Sequence, residues 1–134
     1  MQTLILAAVV LPIMLVIDLL WLGVVGANFY KTQLGSLMRP DIVWPAAIAF
    51  YLIYAVAVAF FVIMPGITAQ SVVRVLLTGA FFGLAAYAAY DLSNLATLKD
   101  WPLTVTLVDL VWGASFTAVS AAAAYLIATR FLGY

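Results

Sequence analysis

The chain of 134 residues has no cysteine, no histidine and no glutamate. Without cysteine there are no disulfides, no thiol catalysis and no thiolate metal site. Without histidine the usual haem ligand and the usual general base are both gone. Charge is scarce as well, at 7% of residues, against about 25% in ordinary globular domains. Five basic residues (Lys31, Arg39, Arg74, Lys99, Arg130) balance five aspartates, so no basic patch for nucleic acid or anionic lipid can be built. There is no phosphate loop, nucleophile elbow, metal-ligand spacing or carboxylate pair of hydrolase type. No cofactor or metal is implied. What the chain has in abundance is apolar surface: 69% of residues are hydrophobic and the mean hydropathy is +1.26. Too few polar side chains remain to cover a domain in water, so the solvent is lipid.

A hydrocarbon core about 30 Å thick takes about 20 helical residues per crossing. Four apolar stretches of sufficient length run over about 3–28, 42–64, 72–98 and 103–132. Each is far longer than a barrel strand and lacks period-two alternation, so helices are expected. The fold class is an all-α integral membrane protein, a single domain of four transmembrane helices packed up and down. The polar cluster Lys31-Thr32-Gln33 with Gly35-Ser36 is expected to form the first loop, Pro65-Gly66 a turn, and Lys99-Asp100-Trp101-Pro102 the last loop. Pro45 and Pro102 fit first helical turns, where the missing N–H costs nothing, and Pro12 is placed to bend the first helix.

The first stretch reads as a retained span rather than a cleaved signal, since no Lys or Arg precedes it and it carries Asp18 and Trp21. Four spans put both termini on one side. Lys31, Arg39 and Lys99 lie on the opposite, loop side against Arg74 and Arg130, a three-to-two vote for cytoplasmic loops. Trp44-Pro45 and Trp101-Pro102 open the second and fourth spans and hint at two related hairpins. Placement of both indoles at the headgroup level explains them without a repeat.

Three acids stand inside the spans: Asp18, Asp91 and Asp109. One central Asp costs about 2.5–3.5 kcal/mol on insertion scales, so three call for partners or a function. At a rise of about 1.5 Å per residue all three fall about 9–15 Å below the loop-side surface, where they could converge on one polar cavity. Helical spacing indicates its lining. Asp18 and Trp21 are three apart, as are Asp109 and Trp112, Asp91 shares a face with Tyr87 and Asn94, and Tyr51 lies at a similar depth. No Lys or Arg sits at that depth, so shared protons are expected. Such a set can exchange a proton for a substrate, bind a cation, or act on a lipid headgroup. It can also merely lock helices together through hydrogen bonds. Gly79 and Gly83 form a GxxxG pair about 80–120° from the Asp91 face, and Ala114, Ala118 and Ala122 repeat every fourth residue. Both patterns suit close helix packing, within the bundle or between protomers.

The segments Asp18-Leu19-Leu20-Trp21-Leu22-Gly23, Tyr90-Asp91-Leu92-Ser93-Asn94-Leu95-Ala96, Trp101-Pro102 and Asp109-Leu110-Val111-Trp112-Gly113 resemble a bacterial family of predicted membrane proteins, domain-of-unknown-function family 2177. The resemblance covers nearly the whole chain. It implies a small four-span protein of a bacterial inner membrane and supplies no catalytic assignment. Three functions stay open. One is binding or transport of a small lipophilic or cationic molecule with proton linkage. Another is an accessory or assembly subunit of a larger membrane complex; on any reading the expected partners are membrane lipid and a homo-oligomer or larger membrane complex, not nucleic acid. The third is a lipid-modifying enzyme, for which aspartate alone offers few catalytic roles.

Overall fold

The computed structural model describes residues 1–134 as four long helical runs joined by short connections. These are α1 (Gln2–Leu37), α2 (Trp44–Ala69), α3 (Val72–Thr97) and α4 (Leu103–Phe131), each long and apolar enough to cross a membrane. There are no strands. α4 is the central helix: it packs along α3 and against α1, and α1 in turn packs against α2. Residue distribution is inverted relative to a soluble domain. Phe60, Phe61, Phe81 and Val111 are all more than half exposed and face the lipid, whereas Asp18, Asp91, Asp109, Thr106, Thr117 and Ser120 are buried.

The loop expected around Lys31-Thr32-Gln33 is helix instead. α1 continues through Leu34 and ends in a single 3-10 turn at Gly35–Leu37, where Gly35 takes a φ of 51°. Lys and Gln are good helix formers, and a polar helix end can stand in the headgroup layer beyond the hydrocarbon. The run also continues unbroken through Pro12. Its irregularity falls later, as a π-helical turn at Trp21–Val25 closed by the Gly26 N–H on the Trp21 carbonyl.

Pro65-Gly66 is likewise not a turn. Both residues lie inside α2, directly after a second π-helical turn at Ala59–Ile63. Proline lacks an N–H and crowds the carbonyl four residues earlier, and the widened turn before it relieves that conflict. The reversal comes at Gln70 and Ser71. Gln70 adopts the left-handed conformation with φ 52°, and the Ser71 hydroxyl accepts the Arg74 N–H at 3.1 Å to cap α3. Pro45 sits in the first turn of α2 as expected, while Pro102 stands one residue earlier than expected, as the extended residue before α4.

α3 meets α4 along a row of every fourth residue: Val75, Gly79, Gly83 and Asp91 are its buried positions. A Cβ on Gly79 would stand 3.1 Å from the Ala118 Cα, and one on Gly83 would collide with the Gly113 carbonyl. The GxxxG pair therefore joins two helices of one chain, with backbones at near-contact. Ala118 and Ala122 are buried and Ala114 is half-buried.

Candidate functional site

The acids lie where the π turn of α1 faces α4. Asp18 stands three residues before Trp21, where that turn begins. The turn shifts the register of the residues after it, and the helical continuation carries Tyr30 back across to α4. Asp91 and Asp109 each lie six residues inside a helix end, Thr97 and Leu103 respectively, about 9 Å in by helical rise.

The two DxxW segments are joined crosswise. The Trp112 indole N–H of the second segment donates to the Asp18 carboxylate of the first at 3.3 Å. The Trp21 indole N–H of the first donates to the Tyr30 hydroxyl at 3.2 Å, and that hydroxyl donates to Asp109 of the second at 2.5 Å. Tyr51 of α2 donates its hydroxyl to the other Asp18 oxygen. Between these bonds the two indoles stack, with ring centroids 4.4 Å apart and planes 11° from parallel. Phe116 extends the stack from Trp112 at 5.5 Å.

Asp91 is different. It is wholly buried, and neither carboxyl oxygen has a donor within reach. The polar group that its carboxyl meets is the carboxyl of Asp109, itself an acceptor unless one of the two carries a proton. An unpaired carboxylate in so dry a place is costly. The Asp91 backbone carbonyl is held by the Thr106 hydroxyl at 3.4 Å, and that hydroxyl accepts the Trp101 indole N–H at 3.1 Å. Trp101 is thus a buried strut packed edge-on against Tyr90 just before α4 begins. Trp44, at the start of α2, is exposed.

A cavity of about 490 Å³ opens beside this network. Asp18, Asp109, Trp21, Tyr30, Tyr87 and Trp112 form its inner wall, and Lys31, Leu34, Met38 and Ile42 stand toward the loop side. Tyr87 lies over Gly113, filling the space where any larger residue would put its Cβ. Lys31 is exposed and makes no ion pair. Asp91 stands off the cavity, against Asp109. Asn94 is half-buried but is neither in the cavity wall nor hydrogen-bonded to an aspartate. No three carboxyls gather closely enough to hold a metal ion.

Tyr30 is the residue that sequence reasoning misses. The polar residues directly after it point to a loop. Yet it lies twelve positions after Asp18, and a helix continued that far puts it on nearly the same face once a π turn intervenes.

No curated protein and no solved structure matches the chain. A family model does, over residues 3–126: that of the family described as predicted membrane protein, DUF2177. The match spans most of the sequence, and the chain belongs to that family.

Proposed function

We propose that this member of the DUF2177 family, sited in a bacterial inner membrane, binds or transports small lipophilic cations in its acid cavity in exchange for a proton shared by Asp91 and Asp109. The observation that carries this reading is Asp91, a wholly buried carboxyl whose polar neighbour is another carboxyl. Two carboxylates without a counterion are not stable together in a low dielectric, so the pair holds either a proton or a nearby positive charge. Those two occupants exclude one another, and that exclusion is proton-coupled binding. Aromatic faces from Trp21, Trp112, Tyr30 and Tyr87 supply the favourable lining for an organic cation. The fixed hydrogen bonds to Asp18 and Asp109 keep the acids oriented without neutralising them.

The groups that face the site and can titrate are Asp18, Tyr30 and Lys31 on α1, Tyr51 on α2, Tyr87, Tyr90 and Asp91 on α3, and Asp109 on α4. Of these, the aspartates are the groups assigned the exchange. Binding of propylammonium to the detergent-solubilised protein, followed between about pH 5.5 and 8.5, tests this. Affinity should rise about tenfold per pH unit while one proton leaves per cation bound. Asp91→Asn and Asp109→Asn should flatten that dependence, because asparagine keeps shape and hydrogen bonding but does not titrate. Folded variants that bind with unchanged pH dependence would overturn the exchange through this pair and leave helix locking, within this chain or a larger complex, as the role of the acids.

A further inference from the structure

Helices α2 and α3 pack together through the Ala59–Ala69 portion of α2 and through the contact of the Tyr54 ring with Phe82. Toward the loops the two diverge around a cleft of about 350 Å³ lined by Phe50, Ala86, Tyr87 and Tyr90. Tyr87 and Tyr90 also line the acid cavity, so the two spaces share a wall. Phe50 lies six residues inside the start of α2 and Tyr90 seven before the end of α3, about 9–10 Å from the helix ends. At that depth the mouth of the cleft faces hydrocarbon, not water.

The alternative ways in are less suited to a cation with a tail. Toward α1 and α4 the stacked rings of Trp21 and Trp112 stand between the cavity and a groove on the outer surface. Toward the loops the cavity wall carries Lys31, its one basic side chain, which repels positive charge. The α2–α3 cleft is parted from the cavity by Tyr87 and Tyr90 instead, two rings that are neither stacked on one another nor tied by a hydrogen bond to an acid, and its four lining residues carry no charge.

We infer that the ligand is a single-chain alkylammonium amphiphile that reaches the cavity sideways from the bilayer, its head beside Asp18 and Asp109 and its chain in the cleft between α2 and α3. This rests on the cation reading of the cavity and adds to it the class of ligand and the route. A head drawn from the interface meets the carboxylates without passing Lys31, and the chain keeps an apolar environment throughout, so the tail need never be exposed to water.

Ala86 gives a clean obstruction, since it lines the cleft and not the acid cavity. The test is calorimetric binding of dodecylammonium and of propylammonium to the full chain in non-ionic detergent near neutral pH, for the natural protein and for Ala86→Trp. Dodecylammonium should bind the variant at least about tenfold more weakly, as expected when a bulky group fills a packed space. Propylammonium should bind both forms within about twofold. Should Ala86→Trp not fold, Ala86→Leu fills part of the same space and should weaken dodecylammonium alone. Dodecylammonium binding that is unchanged in a folded obstructed variant overturns the lateral route. Failure of both amines to bind the natural protein overturns the cation reading itself, and this inference with it.

Discussion

Trp21 and Trp112 stack face to face at 4.4 Å, and each gives its indole N–H to a hydrogen-bond chain that ends on the other segment's aspartate. The pair therefore does two things at once. It packs α1 on α4 through apolar faces, and it directs polar edges at Asp18 and Asp109. Removing Trp112 strips Asp18 of a donor, removing Trp21 strips the Tyr30 hydroxyl of one, and either change opens the cavity wall.

Tyr30 should be worth more than its loop-like neighbourhood suggests. Tyr30→Phe takes the donor from buried Asp109 and the acceptor from Trp21. The expected loss is about 1–3 kcal/mol of stability, the usual consequence of leaving a buried polar group unpaired. Thermal unfolding in detergent reads this directly, and Thr104→Val at an exposed position should stay within about 0.5 kcal/mol. Equal behaviour of the two variants would contradict the bonded role of Tyr30.

Close backbone approach makes three glycines unequal. Gly83→Ala would strike the Gly113 carbonyl and Gly113→Ala the Tyr87 ring, whereas a methyl on Gly23 meets nothing within 4 Å. The first two should cost about 1–3 kcal/mol as overpacked sites. Gly23→Ala should be neutral or slightly stabilising, because alanine is the better helix former. The Gly113 variant should also disturb ligand binding, since Tyr87 is a cavity wall. Unfolding temperatures for the three variants, measured in one detergent, rank them.

The absence of cysteine makes topology simple to map. Single substitutions Asp41→Cys and Asp100→Cys, in the two connections on one side, should react with an impermeant maleimide from the same face of the membrane. Ser71→Cys, in the α2–α3 reversal, should react from the opposite face. Labelling of all three from one side would contradict four crossings.

How far the sequence can be read depends on which forces set each feature. The four spans are legible because lipid tolerates only long apolar helices here, and their number and type depend on little else. Helix ends are less legible. Composition marks Lys31–Gln33 and Pro65-Gly66 as breaks, but lysine, threonine and glutamine can stand in the headgroup layer as helix, and a π turn absorbs Pro65. The burial of Asp18, Asp91 and Asp109 is legible from the penalty of placing an acid in lipid. Their partners are not. Spacing within one helix suggests that each tryptophan serves the aspartate three residues earlier, but the π turn at Trp21–Val25 and the α1–α4 contact route the bonds crosswise. Asn94 shares a helix with Asp91 yet stays out of the network, since α4 supplies the group that meets Asp91.

The exchange of cation for proton is the central claim, and counting protons tests it most directly. Propylammonium is added to weakly buffered, detergent-solubilised protein near neutral pH, and the protons appearing in solution are measured with an indicator against the amount of cation bound. The account predicts about one proton released per cation by the natural chain, and close to none by Asp91→Asn at equal occupancy. Cation binding with no proton release, or release undiminished in Asp91→Asn, would contradict it.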